Sequence, residues 1–414
     1  MIKYIPVAHA SIGFKELINK IKASFSVNHC NGRWNELFER KIKKLFGIQY
    51  VLTCNSGSSA NLLAMSSLTS KLLKNPLKKG DEVITTALCF PTTINPIIQN
   101  NLKPIFIDVK LDTLNIDEDI IEKYITKKTR AIFATNTLGN PCNMDRLLSI
   151  CKKHNLFLIE DNCDSTASKY KGKYTGTFGH ISSMSFYPAH HITTGEGGAV
   201  ITNDLTLYKA ARSFRDWGRD CWCEPKHDNS CGKRFNCEYN RLPVGYDHKY
   251  VYSHIGYNLK FTEWQAALGC AQIDRINKFI EKRKYNYDSL YKTFTKINSF
   301  FLEENKPFLL LKKDKDIEPC MFGFPIVLNK IDRHEFVKFL ERNKIGTRPL
   351  FAGNIIKQPA YEHLYKKEVN DRLPNTNYIM NNSFWIGCHP GIKKRHLKYI
   401  ENTVIKYFKY KDML

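Results

Sequence analysis

The sequence contains no apolar run of the length that a membrane-spanning helix needs. Such a helix takes roughly eighteen or more consecutive apolar residues, and the 414-residue chain has no stretch of that kind. The opening residues, MIKYIPVAHASIGF, also lack the basic, apolar and small-residue order of a secretory leader. We therefore expect a cytoplasmic protein with no membrane insertion.

Acidic residues are scarce beside basic ones. Aspartate and glutamate together number 40 against 63 lysines and arginines, which gives a formal net charge of +23. The lysines are spread along the chain and form no tracts, so we expect a solvated basic surface and no nucleic-acid partner. Such a surface suits an anionic substrate or an acidic protein partner.

Cysteine is abundant, at 13 residues, and its number is odd. In a reducing compartment a set of this kind does not indicate a disulfide framework. Two interpretations stay open at this point. The thiols are either ligands of a metal or redox centre, or buried and inert side chains.

Short apolar segments alternate with helix-length segments through the first half of the chain. This alternation predicts an α/β fold with a large, mostly parallel, seven-stranded sheet. We place the large domain at residues 1–260 and a smaller α+β C-terminal domain at residues 261–414. The predicted strands of the large sheet are Tyr50–Thr53, Glu82–Thr86, Pro104–Val109, Ala131–Thr135, Leu156–Glu160, Ser183–Phe186 and Ala199–Thr202. Predicted helices include Ser58–Leu72, Glu118–Ile125, Asn143–His154 and Thr262–Arg283.

Residues 218–252 interrupt this alternation. The segment is polar, aromatic and without clear periodicity, and it is too long for a simple connector. It also carries four of the cysteines, Cys221, Cys223, Cys231 and Cys237. We therefore expect this cysteine-rich insert to serve function.

Two segments at predicted strand ends suit an anionic aromatic ligand. The first, Asn55–Asn61, reads NSGSSAN and joins a strand to a helix, where backbone N–H groups and hydroxyls converge on an anion. An ordinary serine-rich helix cap has the same pattern. The second ends in Asp161, a carboxylate placed to pair with a protonated pyridine nitrogen. A simple helix-capping aspartate is the alternative.

A third segment, Ser185–Ala199, reads SFYPAHHITTGEGGA. Together with the two segments above and with GYNLK at 256–260, it resembles the DegT-type nucleotide-sugar aminotransferases. The resemblance runs from about residue 5 to the C-terminus and rests on several motifs in order. It implies the aspartate-aminotransferase-like architecture of fold type I and a pyridoxal or pyridoxamine phosphate coenzyme (PLP or PMP).

The resemblance also implies a set of coenzyme-binding residues. Ser58, Ser59 and Ser185 would hold the phosphate, and Phe90 would lie against the pyridine ring. Asp161 would bind the ring nitrogen, with Asp164 near the phenolic oxygen. Asn258 would reach the phosphate of the neighbouring subunit's coenzyme, which implies a homodimer.

The chain departs from the family pattern at His190, where most members have the coenzyme-linking lysine. Imidazole forms no stable imine with the coenzyme, but it can act as a base near neutral pH. The intact surroundings favour a catalytic base over a structural histidine or a non-catalytic sugar-binding paralogue. The exchange resembles that of the family's sugar 3-dehydratases. It implies PMP-dependent loss of the C3 hydroxyl from a 4-keto-6-deoxy sugar nucleotide, started when His190 removes a proton.

Four cysteines refine this expectation. Cys163, Cys221, Cys223 and Cys231, spaced C-x57-C-x-C-x7-C, resemble the 2Fe–2S ligand set of the iron–sulfur branch of these enzymes. That branch acts on CDP-4-keto-6-deoxy-D-glucose with a flavin and iron–sulfur NADH-dependent reductase, toward 3,6-dideoxyhexoses and O-antigen lipopolysaccharide. Because two residues span at most about 7 Å, Cys163 stays near Asp161 and the coenzyme.

Other interpretations of the same cysteines stay open. Structural zinc is one, and Cys237 is an alternative fourth ligand. The other enzyme candidate is a cluster-independent, glutamate-dependent 3-dehydratase of the GDP-4-keto-6-deoxymannose type.

Overall fold

The computed structural model describes residues 4–223, 229–236, 238–239 and 241–411. The strands in these residues are β1 Tyr50–Cys54, β2 Glu82–Thr86, β3 Lys103–Ile107, β4 Thr129–Thr135, β5 Phe157–Asp161, β6 Lys169–Tyr170, β7 Lys173–Tyr174, β8 Ile181–Ser185, β9 Gly198–Thr202, β10 Phe308–Leu309, β11 Ile317–Glu318, β12 Gly323–Leu328, β13 Thr347–Arg348 and β14 Ser383–Gly387. The α-helices are α1 Phe14–Ser24, α2 Arg33–Phe46, α3 Gly57–Leu68, α4 Pro91–Gln99, α5 Met144–His154, α6 Leu205–Arg215, α7 Glu263–Ile273, α8 Ile276–Asn298, α9 Arg333–Arg342, α10 Lys367–Asp371, α11 Pro374–Asn382 and α12 Lys394–Tyr410.

The seven predicted strands of the first half form one sheet, in the order β1-β9-β8-β5-β4-β2-β3. Strand β9 runs antiparallel to both of its neighbours, and the other pairs are parallel. The prediction of a mostly parallel seven-stranded sheet is confirmed. Because six strands share one direction, their carboxyl ends meet at one edge of the sheet, where ligands of such folds bind.

The C-terminal part forms a second, antiparallel sheet in the order β10-β12-β14-β13. Its core is rich in phenylalanine, and Phe294, Phe308, Phe336 and Phe408 are all fully buried there. The N-terminal segment joins this unit, since Ile5 pairs with Ile345 as an isolated parallel bridge. A domain boundary at residues 260 and 261 stays a prediction.

Two predicted helices differ in the structure. Residues 118–125 contain only a 3-10 turn, Ile121–Tyr124. At the start of this segment, Lys110 forms ion pairs of 2.8 and 2.6 Å with Glu118 and Asp119. The long helix predicted over Thr262–Arg283 is two helices, α7 and α8, with a break at Asp274 and Arg275. There Asp274 pairs with lysines of the N-terminal helices.

Among the described residues, the structure has no helix of sufficient length and apolar character to cross a membrane.

A buried carboxylate joins the N-terminal helices to α7. Glu263, which is fully buried, accepts hydrogen bonds from the backbone N–H groups of Gly32 at 2.9 Å, Trp34 at 2.8 Å and Asn35 at 3.1 Å. These groups lie at the N-terminus of α2, which would otherwise have unsatisfied donors.

We expect Glu263→Ala to lower the free energy of unfolding by about 2–4 kcal/mol, because several buried donors lose their acceptor. The measurement is the urea midpoint, with the exposed Glu281→Ala as control. An unchanged midpoint for Glu263→Ala would contradict this role.

Candidate active site

The serine-rich segment forms the N-terminus of α3 at the carboxyl edge of the large sheet. Ser56 caps the helix, and its Oγ accepts a hydrogen bond from the Ser59 backbone N–H at 3.0 Å. The Ser58 hydroxyl donates to Thr92 Oγ1 at 3.1 Å. Several hydroxyls therefore surround the positive end of a helix dipole, which is the usual environment for a bound phosphate.

Two glycines bring neighbouring strands against this helix start. A Cβ at Gly57 would lie 2.5 Å from Ser185 Cβ and 3.0 Å from Cys163 Sγ. A Cβ at Gly198 would lie 2.3 Å from the Ser56 carbonyl oxygen. The structure therefore places Ser185 and Cys163 directly against the serine-rich segment.

Asp161, at the end of β5, forms the floor of the same region and is nearly buried. Its Oδ2 accepts hydrogen bonds from Asn61 Nδ2 at 2.9 Å and from Thr93 Oγ1 at 2.7 Å. Its Oδ1 accepts from the Cys163 backbone N–H at 3.3 Å and from Ser183 Oγ at 3.4 Å. The carboxylate is therefore held in place by α3, α4 and β8 together.

His190 lies beside Asp164, with 3.4 Å between His190 Nδ1 and Asp164 Oδ1. Burial and the nearby Arg283 cation lower the pKa of His190 to about 3. Burial and the neighbouring Asp161 raise the pKa of Asp164 to about 8. His190 Nδ1 and Asp164 Oδ2 are both buried without a hydrogen-bond partner, so the site presents polar groups that fit a polar ligand.

Two residues that the sequence did not identify fix the position of His190. The ring of Phe322 stacks on the imidazole, with centroids 4.9 Å apart. The fully buried Arg283 donates to the carbonyl oxygens of His190 at 3.1 Å and Phe322 at 3.0 Å. It therefore connects the His190 segment to the C-terminal unit. Neither Phe322 nor Arg283 lies in a sequence motif that predicts a contact with His190.

Phe90 and Asn258 occupy positions outside this buried cluster. Phe90 caps α4 and is 54% exposed, which leaves its ring surface open to a ligand. Asn258 pairs with Asp216 in an isolated antiparallel bridge, and its Oδ1 accepts a hydrogen bond from Lys260 Nζ at 2.8 Å.

In the insert, Cys223 and Cys231 are in contact, and Cys221 interacts with Cys223. The Sγ atoms of Cys223 and Cys231 are 3.5 Å apart. Hydrogen bonds from Ser230 and Cys231 lower the pKa of Cys223 to about 6, while burial and Cys223 raise the pKa of Cys221. Cys237, the alternative ligand, lies outside the described residues.

Cys163 has a different environment. Its Sγ lies 3.6 Å from Ser183 Oγ, and burial raises the pKa of its thiol. Across the described ranges, no group of three or more His, Cys, Asp or Glu side chains has the arrangement needed to hold a metal ion.

Asp220, near the start of the insert, holds the later part of the same segment against it. Its carboxylate accepts hydrogen bonds, each of 2.8 Å, from the Tyr239 hydroxyl and the Ser253 hydroxyl, and it pairs with His248 Nε2 at the same distance. His254 bridges Ser70 and Ser213 in turn. Both histidines are therefore packed into the structure.

The sheet order and the residues at its carboxyl edge define an aspartate-aminotransferase-like enzyme of fold type I. The chain belongs to the DegT/DnrJ/EryC1/StrS aminotransferase family, whose model matches residues 14–405. This family contains PLP-dependent aminotransferases and dehydratases of nucleotide sugars, so the chain is an enzyme of that class.

Two proteins are similar to this chain in sequence, and a third is similar in structure. The lipopolysaccharide biosynthesis protein RfbH of Salmonella typhimurium is 49% identical over 408 residues, 98% of this chain and 92% of that protein. The dTDP-4-dehydro-2,6-dideoxy-D-glucose 3-dehydratase of Saccharopolyspora spinosa is 45% identical over 94% of this chain and 83% of its own length. An E. coli GDP-4-keto-6-deoxy-D-mannose-3-dehydratase with bound hydrated PLP superimposes with a TM-score of 0.81 at 28% identity, covering 97% of this chain and 99% of that one.

Burial should keep the His190 imidazole neutral across the physiological pH range. Because its pKa is lowered to about 3, we expect coenzyme-free protein to show no protonation of this ring between pH 5 and pH 8. Nitrogen NMR of histidine-labelled protein, with the signal assigned by a His190→Asn variant, measures this. A titration midpoint near the ordinary value of about 6.5 would contradict the described environment.

Proposed function

We propose that this enzyme is a PMP-dependent 3-dehydratase of a 4-keto-6-deoxy nucleotide sugar. One observation carries the proposal: His190, in the segment that resembles the family's lysine motif, is largely buried beside Asp164, and its pKa is lowered to about 3. The dTDP-sugar 3-dehydratase, at 45% identity, supports this reaction. RfbH, at 49% identity, is a lipopolysaccharide biosynthesis protein and supports the proposed pathway.

The residues at the sheet edge fit the coenzyme. Ser58, Ser59 and Ser185 would hold its phosphate, since they surround the N-terminus of α3. Asp161 would bind the pyridine nitrogen, because its carboxylate is already fixed by four donors. When bound, the coenzyme supplies a primary amine that activates the sugar's C4 ketone and a ring that takes up electrons.

Phe90, Asp164 and Asn258 complete the proposed coenzyme site. The exposed ring of Phe90 would cover the pyridine face. Asp164 would hydrogen bond the phenolic oxygen, for which its partnerless Oδ2 is available. Asn258 would reach the phosphate of the neighbouring subunit's coenzyme, so the proposed active form is a homodimer.

His190 would move the proton in this reaction. A neutral imidazole can accept a proton from the carbon next to the coenzyme ring, and the imidazolium can return it to the departing C3 hydroxyl. Phe322 holds the His190 ring by stacking on it. Arg283 holds the His190 backbone through a hydrogen bond to its carbonyl oxygen. An imidazole here excludes the covalent anchoring that a lysine would provide.

The finer proposal is that Cys163, Cys221, Cys223 and Cys231 ligate a 2Fe–2S cluster, with CDP-4-keto-6-deoxy-D-glucose as substrate and an NADH-dependent flavin and iron–sulfur reductase as partner. The 3.5 Å separation of two thiols in the insert, with the low pKa of Cys223, supports it. Cys163 adds a thiol two residues from Asp161. The pathway would lead to 3,6-dideoxyhexoses for lipopolysaccharide.

A second candidate is a cluster-independent 3-dehydratase that consumes glutamate and acts on a GDP-linked sugar. The described residues contain no assembled metal-binding group, and the E. coli GDP-sugar 3-dehydratase shares the fold closely. Turnover with glutamate and without any reductase would favour this candidate.

We expect His190→Asn to lower turnover by about 10²–10⁴-fold while PMP stays bound, because the base is lost and the coenzyme contacts remain. We expect His190→Lys to form a borohydride-reducible bond to PLP that the wild type does not form. Coenzyme absorbance and mass spectrometry measure both. If His190→Lys forms no such bond, His190 does not occupy the lysine position.

The cysteine proposal has its own test. Protein purified under anaerobic conditions should contain iron and labile sulfide, and Cys223→Ser and Cys231→Ser should lose both. Cys151→Ser, a buried thiol away from the insert, should retain them. Protein with bound zinc and no iron, or with neither metal, would contradict the cluster.

A further inference from the structure

Lys260 lies directly beside Asn258, the residue that the proposed function assigns to the neighbouring subunit's coenzyme phosphate. The Lys260 Nζ donates a hydrogen bond to Asn258 Oδ1 at 2.8 Å. The Lys260 side chain is only 14% exposed, which is unusual for a lysine. Its position therefore needs a physical explanation.

Two further groups hold the ammonium in place. The Nζ lies 3.1 Å from the centroid of the Trp217 ring, in a cation–π contact. It also lies 3.9 Å from Asp216 Oδ1. Burial lowers the pKa of Lys260 to about 8, so the side chain is mostly charged at neutral pH.

The backbone on which both residues stand is also fixed. Asn258 pairs with Asp216 as an antiparallel bridge, and the Leu259 backbone N–H donates to the Arg215 carbonyl at 3.1 Å. The Leu259 carbonyl accepts from the Asn55 backbone N–H at 3.0 Å. Arg215 in turn binds both carboxylate oxygens of Asp216. The backbone that carries Asn258 and Lys260 is therefore held in place on both sides.

This arrangement determines which way the Asn258 amide faces. An ammonium can only donate hydrogen bonds, whereas an asparagine side chain has one accepting oxygen and one donating NH₂ group. With Oδ1 turned to Lys260, the NH₂ group points away from the lysine. A phosphate accepts hydrogen bonds, so this orientation presents the correct group to it.

We propose that Lys260 is a positioning residue that orients the Asn258 amide so that its NH₂ group faces the coenzyme phosphate of the partner subunit. The inference rests on the proposed function, because that function supplies the phosphate. With Lys260 absent, the amide is free to rotate, and only the molecules whose NH₂ group faces the phosphate are ready to bind it.

The test separates phosphate recognition from other effects by comparing PMP with pyridoxamine, which lacks the phosphate. Coenzyme-free full-length protein is titrated with each compound, and the dissociation constants are measured by fluorescence. The variants are Lys260→Met, Lys260→Arg, Asn258→Ala and the double variant Asn258→Ala with Lys260→Met. The exposed Lys278→Met serves as a matched control.

We expect Lys260→Met to weaken PMP binding about two- to tenfold, because only part of the molecules would present the NH₂ group to the phosphate, and to leave pyridoxamine binding unchanged. Lys260→Arg should restore PMP binding, because guanidinium is also a pure donor. The double variant should bind PMP no more weakly than Asn258→Ala alone.

Three results would overturn the inference. The first is an unchanged PMP affinity in Lys260→Met, and the second is an equal loss of affinity for PMP and for pyridoxamine in that variant. The third is additive losses of PMP affinity in the double variant, which would mean that Lys260 acts independently of Asn258. The proposed function fails separately, if wild-type protein binds PMP no more tightly than pyridoxamine.

Discussion

The carboxylate of Asp161 accepts hydrogen bonds from Asn61 on α3, Thr93 on α4, Ser183 on β8 and the backbone of Cys163. One buried charge thus joins the elements that form the proposed coenzyme site. Each donor compensates part of the cost of burying that charge. Removing the carboxylate would leave these donors without an acceptor, so the geometry of the whole edge depends on it.

A different electrostatic effect acts on His190, the proposed base. His190 lies in a buried position near the cationic Arg283, and both effects favour the neutral ring. The imidazole is therefore unprotonated in the coenzyme-free protein at neutral pH. Arg283 is held by backbone carbonyls on the two segments that it connects. Arg283 therefore positions His190 through these hydrogen bonds, and its charge lowers the pKa of the imidazole.

The large sheet could be predicted because its strands are short apolar runs separated by helices, a pattern that depends on local sequence. The break between α7 and α8 could not, because no glycine or proline marks it in the sequence. At the break, Asp274 pairs with Lys15 and Lys41, which are far away in the chain. Arg283 and Phe322 were missed because their contacts with His190 join distant segments.

The serine-rich segment, Asp161 and Ser185 were predicted from motifs, and the structure places them at one edge of the sheet. Their roles toward the coenzyme stay predictions, as do those of Phe90, Asp164, Asn258 and the four cysteines. The insert is harder to derive from sequence, because its conformation depends on single side chains such as Asp220 rather than on regular secondary structure.

The central claim is that the enzyme breaks the C3–oxygen bond of its substrate and does not transfer an amino group. PMP-loaded protein, supplied with an electron donor, is incubated with CDP-, GDP- and dTDP-linked 4-keto-6-deoxy sugars, and the products are identified by mass spectrometry. A product that has lost the C3 hydroxyl is predicted from at least one of them. A 4-amino sugar that retains the C3 hydroxyl, formed with conversion of PMP to PLP, would contradict the account.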